Sequence, residues 1–151
     1  MTLVYSLSIE CGPERTSADA IVRHFESSNV ALASEVSPWF RDVHFDAEGW
    51  WVLVHCRRLA FRGEPSPEEH QRIVKATQAL YLHLKSAPRF RYALAGIEVD
   101  EFRRRSRLDQ DLVTMDFSGV VVDETIWTEL GKPTNFVPFA PGYYWRPSRT
   151  A

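Results

Sequence analysis

The chain has 151 residues, of which 44% are hydrophobic and 25% are charged, and its formal net charge at pH 7 is −2. This length and composition indicate one soluble globular domain with a single sizeable core. The slightly negative charge disfavours a protein that mainly binds a nucleic-acid backbone. The N-terminal residues lack the basic and apolar segments of a signal peptide, and no run approaches the roughly 20 apolar residues of a membrane span. We therefore predict neither nucleic-acid nor membrane binding.

The two cysteines, Cys11 and Cys56, form no CxxC motif and are too few for a disulfide framework. We expect two reduced, buried thiols and a cytoplasmic location.

The first half of the chain alternates strand and helix patterns. Period-2 alternation predicts a strand over residues 3–10, and apolar residues at helical spacing predict a helix over residues 17–28. Thr16 and Asp19 have the spacing of a capping box at the start of that helix. Residues 39–45 and 50–58 then read as a hairpin, with Gly49 in its turn as a site of positive φ.

The second helix has clear start and stop signals. Ser66 is predicted as its N-cap, Pro67 occupies the first helical position, and Glu69 completes a capping box. An apolar stripe continues to about Lys85, and Pro88 lies beyond the helix end. Residues 90–99 read as a fourth strand.

The resulting order β-α-β-β-α-β over residues 1–99 predicts an α+β, ferredoxin-like fold with two helices on one face of an antiparallel sheet. The other face is expected to be open. The predicted core is Leu7, Ile9, Ile21, Phe25, Val52, Val54, Ile73, Leu80, Leu84 and Leu94.

Residues 100–151 form a C-terminal extension that we expect to pack on this core within one domain. Residues 101–110 are predicted as a loop or short helix, and residues 112–122 as an extra strand. Asp123 is a plausible N-cap for a short helix to Leu130, with Gly131 as its C′ residue. The remainder, rich in proline and aromatics, is predicted to be an irregular ordered arm.

The sequence predicts no cofactor, no metal site and no catalytic residue. His70 and His83 lie on different sides of one helix, and the adjacent His55 and Cys56 point to opposite faces of a strand. GxSxG, GxGxxG and GxxxxGK[ST] motifs are absent from the sequence. A catalytic set scattered along the chain stays open, so the pattern leans away from an enzyme without deciding the matter.

Charged residues concentrate in the extension. Four arginines, Arg103, Arg104, Arg105 and Arg107, are flanked by acids, so self-pairing in a solvated loop is favoured over RNA binding. Acids outnumber them between residues 98 and 129. An acidic surface beside aromatics is suited to a basic protein partner. The predicted partner contacts are Asp109, Asp111, Asp116, Glu124 and Trp127.

The closing pattern W-x-x-L-G-K-P-x-x-F-x-P-F-x-P-G-Y-x-W-x-P spans Trp127 to Pro147. It resembles the C-terminal ends of small single-domain immunity-type proteins of bacterial toxin systems. That resemblance implies a non-catalytic protein that binds and neutralises a cognate toxin or effector. Whether the aromatics of the pattern belong to the core or to an interface stays open, as does the oligomeric state.

A second hypothesis is a small enzyme or ligand-binding protein with a pocket between the open sheet face and the arm. Its candidate polar groups are Arg41, His44, Arg57 and Arg91.

Overall fold

A computed structural model describes residues 2–27, 38–97, 104–114 and 118–147. Within these ranges the strands are β1 (Thr2–Glu10), β2 (Pro38–Phe45), β3 (Trp50–Arg62), β4 (Tyr92–Ile97), β5 (Val121–Asp123), β6 (Val137–Ala140) and β7 (Tyr143–Trp145). The helices are α1 (Arg15–Ser27), α2 (Pro67–Leu84), α3 (Arg105–Thr114) and α4 (Glu124–Glu129). Arg103 of the arginine cluster and the predicted partner contact Asp116 lie outside the described residues.

All seven strands form one sheet in the order β2-β3-β1-β4-β5-β7-β6, with antiparallel pairing throughout. The α+β class is confirmed. The ferredoxin-like order is not confirmed, because the sheet continues past β4 through three strands of the C-terminal extension. Residues that were expected to wrap the domain instead widen its sheet.

Each face of the sheet carries its own hydrophobic core. Leu7 and Ile9 of β1 lie in the first core together with buried residues of α1 and α2. On the second face, Tyr92 of β4 packs in a core with Leu108 of α3 and Ile126 of α4. The expectation of an open second face is therefore wrong: helices of the extension cover it.

All ten predicted core residues are buried. Nine of them lie in the first core, whereas Leu94 belongs to the second. The alternation of side chains along a strand explains the split, since Ala93 faces the first core and its neighbour Leu94 faces the other side.

The predicted capping box of α2 is confirmed. The Glu69 amide donates to Ser66 Oγ at 3.2 Å, and the Ser66 amide donates to Glu69 Oε1 at 3.0 Å. The box predicted for α1 is wrong, because the helix begins at Arg15 and Thr16 already lies inside its first turn. The prediction of a positive φ at Gly49 in the hairpin turn is also wrong, because the positive φ occurs at Ala47.

The extension is more regular than its sequence suggests. Residues 112–114 continue α3, and of the described residues 118–122 only 121 and 122 lie in a strand, as the first two residues of β5. Leu108 and Leu112, four residues apart on α3, both bury in the second core, which favours the helix. Asp123 caps α4 as predicted, accepting a 2.8 Å bond from the Ile126 amide.

The arm beyond Gly131 is not irregular, since it supplies β6 and β7. Proline is tolerated in β6 because β6 is the outermost strand of the sheet. The register also shifts between Pro138 and Ala140, a local irregularity of the kind that accommodates proline.

Candidate functional site

The C-terminal extension places an aromatic stack at the surface. The ring of Trp127 in α4 lies 3.8 Å from that of Tyr144 in β7, with 13° between the planes. Both side chains are half-buried, and Lys132 Nζ lies 5.7 Å from the Trp127 ring centroid. By contrast Phe136 and Phe139 are buried, one in each core. The arm aromatics thus divide between core and surface.

Exposed carboxylates lie on α3 and on α4, the helix that carries Trp127. Asp109 is 61% exposed and accepts a bond of 3.1 Å from Arg105 Nη1. The other amino group of Arg105 bonds to Glu129, which is 55% exposed. Glu124 is exposed in the first turn of α4. Arg105 therefore ties α3 to α4 and partly neutralises two of the three acids.

The predicted partner contacts are only partly brought together. Asp109, Glu124 and Trp127 reach the surface, whereas Asp111 is buried in α3 with 7% exposure, and Asp116 lies outside the described residues. A buried Asp111 does not fit a surface contact. The binding role of the other three stays a prediction.

A small cleft of about 280 Å³ lies where the extension meets the first part of the sheet. It is lined by Arg89, Asp123, Glu124, Thr125, Gly142 and Tyr143. The Tyr143 hydroxyl accepts from the Phe90 amide and donates to the Phe90 carbonyl, both at 3.1 Å. Its ring stacks on Phe90 at 4.4 Å. One wall of the cleft is thus held rigidly.

The charges around this cleft are mixed. The pKa of Asp123 is raised above its ordinary value, because burial disfavours the charged carboxylate. The hydrogen bond from the Ile126 amide and the nearby Arg89 and Arg91 make this rise smaller. The cleft therefore presents a cation and two carboxyl groups within one small volume.

A buried ion pair joins the end of β1 to Arg91, the residue before β4. The Glu10 side chain is 1% exposed and receives two bonds from Arg91 Nε, at 2.9 and 3.1 Å, and a third from Arg91 Nη2. The Gly12 amide also donates to it. The bonds to Glu10 raise the pKa of Arg91. The Asp123 amide donates to the Arg91 carbonyl at 2.8 Å, which links the pair to the cleft wall.

The sequence reasoning missed this pair. A signal was present, since Glu10 continues the strand on the side opposite Leu7 and Ile9, where a charge must be paired if helices cover it. Gly49 gives a second signal. A Cβ there would lie 2.7 Å from Glu10 Oε2 and 3.0 Å from Arg91 Nη2.

Two of the four polar groups proposed for an enzyme can be located: His44 is exposed in β2, and Arg91 is bonded to Glu10. The side chains of Arg41 and Arg57 lie outside what is described.

Arg105 lies in ion pairs, as self-pairing predicts, and it belongs to α3, in agreement with the short-helix alternative predicted for this segment. Arg104 and Arg107 are exposed. The absence of RNA binding stays a prediction.

Cys11 is buried, as expected, and burial raises the pKa of its thiol above the ordinary value. The Cys56 side chain lies outside what is described. In the described ranges no three His, Cys, Asp or Glu side chains are grouped to hold a metal ion. None of the helices in those ranges has the length and apolar character to cross a membrane.

No protein-family model matches the chain, and neither does a curated protein sequence or a solved structure at a significant level.

Proposed function

We propose that this protein is a non-catalytic protein-binding protein of the immunity type, which captures a basic toxin or effector through its C-terminal extension. The observation that supports the proposal is the half-buried Trp127–Tyr144 stack of the extension, together with the exposed carboxylates of Asp109 on α3 and of Glu124 and Glu129 on α4.

The two parts of this surface have different roles in binding. Rigid aromatic side chains bury large area at little entropic cost and are enriched at interface centres. Carboxylates at the rim attract a basic partner and raise the association rate. A partner's cation can replace Arg105 at Asp109 or Glu129, because these carboxylates are 61% and 55% exposed and ion pairs of exposed carboxylates are individually weak.

The first experiment compares capture from native-host lysate by wild-type protein and by the charge-reversed variant Asp109→Lys/Glu124→Lys/Glu129→Lys. Asp111 stays unchanged because a buried lysine there would disturb the fold. The control reverses Glu64 and Glu68, two exposed acids near the start of α2 that lie outside the C-terminal extension. We expect a basic protein to be retained by wild type and control and lost by the variant.

The second experiment uses the captured protein in purified form. Its association rate with wild type should fall steeply as salt rises, because rim charges act through long-range attraction. Expression of the captured protein alone should arrest growth, and co-expression of wild type should restore it. Equal binding by the triple variant, or an absence of any growth effect, contradicts the proposal.

We further infer that residues 2–97 form a ferredoxin-like unit to which the extension was joined at β4. The support is the order β2-β3-β1-β4 with α1 and α2 in the same core.

A second candidate function is favoured by the cleft. A cation from Arg89 and carboxyl groups from Asp123 and Glu124 would suit a small zwitterion such as an amino acid or a peptide terminus. Titration with amino acids and dipeptides, followed by NMR shifts of Tyr143 and Gly142, tests this. Arg89→Met should abolish the shifts. Arg72→Met, which replaces an exposed arginine of α2 away from the cleft lining, should leave them unchanged. Unperturbed spectra at millimolar ligand remove the candidate.

A further inference from the structure

The C-terminal ends of α1 and α2 are joined by two histidines that bond to each other's backbone. His24 Nε2 lies 3.0 Å from the His83 carbonyl oxygen, and His83 Nε2 lies 3.3 Å from the His24 carbonyl oxygen. The rings stack with centroids 4.2 Å apart and 14° between their planes. The arrangement is reciprocal, with each helix end donating to the other.

The surroundings repeat the same symmetry. The Ser27 hydroxyl donates to the His24 carbonyl at 3.0 Å. In the same way the Ser86 hydroxyl, three residues after His83, donates to the His83 carbonyl at 3.2 Å. The ring of Phe25 meets both imidazoles edge to face, at 5.5 and 5.0 Å. Phe25 is fully buried in the first core. The histidine pair thus packs against that core.

The bonds fix which nitrogen of each ring carries a proton. A carbonyl oxygen only accepts, so both Nε2 atoms must donate, and each neutral ring holds its proton there. Acid therefore adds a second proton at Nδ1. One imidazolium is favoured beside the helix carbonyls, whereas two imidazoliums stacked at 4.2 Å repel each other strongly.

We propose that His24 and His83 form a pH-sensitive clasp, which joins α1 to α2 at neutral pH and opens when both rings are protonated, uncovering Phe25. Burial lowers the pKa of His83, the bond to the His24 carbonyl raises it, and the charge of His24 lowers it again. Since the folded pKa lies below the unfolded value of about 6.5, the stabilisation is complete above that pH and is lost as pH falls through the folded pKa.

Arg23 and Glu26 of α1 and Lys85 after α2 adjoin the two histidines along the chain, and all three are exposed. Among the charges of the described residues, that of His24 is the one that acts on the pKa of His83. The protonation of His83 therefore depends on the ring stacked against it.

The test is an NMR pH titration of the imidazole signals in the full chain, with hydrogen exchange of the amides at residues 22–27 and 81–86. In wild type we expect protection to fall at least tenfold as pH drops through the lowered pKa of His83. His83→Gln keeps a donor for the His24 carbonyl but cannot be charged. In that variant protection should no longer depend on pH in that range.

His70→Gln, on the exposed side of α2, is the matched control and should retain the acid-dependent loss of protection. If His83→Gln does not fold, His24→Gln serves in its place, and the wild-type measurement needs no variant. Protection in wild type that stays unchanged as His83 becomes protonated overturns the proposal. So does acid-induced opening that persists when either histidine is replaced.

Discussion

At Gly49 the β2–β3 turn passes so close to the buried Glu10 carboxylate that a methyl group has no room. The Glu10 oxygen cannot simply swing away, because Arg91 and the Gly12 amide both hold it. Gly49→Ala should therefore lower the free energy of unfolding by about 1–3 kcal/mol, the usual range for overpacking. Urea denaturation measures the effect.

The control for this variant is Ala47→Gly in the same turn. Ala47 has φ 80°, a conformation that glycine adopts freely, so its replacement should leave stability unchanged or raise it. Equal stability of wild type and Gly49→Ala would mean that the turn is not pressed against Glu10.

Arg91 neutralises a carboxylate that has almost no access to water. Arg91→Met should cost about 3–5 kcal/mol, because it leaves the Glu10 charge buried and unpaired. Adding Glu10→Gln should recover part of that loss, since the buried group is then neutral and still bonded to the Gly12 amide. A double variant less stable than the sum of the single changes would contradict this account of the pair.

Leu80 and Leu82 of α2 provide a test of the helix orientation. Leu80 is fully buried and Leu82 is 70% exposed. Leu80→Ala should cost about 2–5 kcal/mol, and Leu82→Ala should change stability by less than about 0.5 kcal/mol. Similar values for both variants in urea denaturation would mean that α2 is rotated about its axis.

At the scale of single elements, the sequence predicts best where a local bond defines a boundary. Ser66, Glu69 and Asp123 were correctly placed because each cap satisfies amides within three residues of itself. Thr16 has the same spacing to Asp19, yet α1 begins before it. A capping pattern shows that a helix start is possible, but the preceding residues decide which turn is the first.

The strand predicted from residue 112 onward is wrong for residues 112–114, because a short apolar run is compatible with both a helix and a strand. Residues 112–114 are apolar or β-branched, and period alone cannot distinguish a buried helix turn from a strand. The partner of Leu112 decides the matter. Leu112 lies in the second core with Leu108 on the same helix and Ile126 on α4. The local sequence pattern does not predict this tertiary packing.

At the scale of the whole molecule, the first core was predictable and the second was not. Residues of β1, α1, β3 and α2 have periodic patterns with the same polarity, and they meet on one face of the sheet. The second face carries Ser6, Ser8 and Glu10, which read as solvent-exposed but are buried. Because the residues on that face are polar, the sequence does not indicate that α3 and α4 cover it. The Glu10–Arg91 pair and the position of the cleft were therefore not predictable either.

The C-terminal arm joins both cores, so its removal tests the fold as a unit. Phe136 contributes to the second core and Phe139 to the first, while Trp145 lies 5.3 Å from the ring of Tyr81 in α2. Loss of a buried phenylalanine typically costs about 3–5 kcal/mol. Deletion of residues 132–151 also leaves β5 as an exposed edge strand.

We therefore expect the truncated chain to melt at least roughly 10 °C lower than the full chain, or not to fold, by circular dichroism and calorimetry. A chain ending at Pro147 is the control, because it keeps every described contact of the arm, and it should melt like the full chain. Phe139→Ala separates packing from strand loss and should produce a smaller decrease. If residues 132–151 can be removed with no change in melting temperature, the arm is a separable tail. The aromatic stack would then have to be explained by a partner alone.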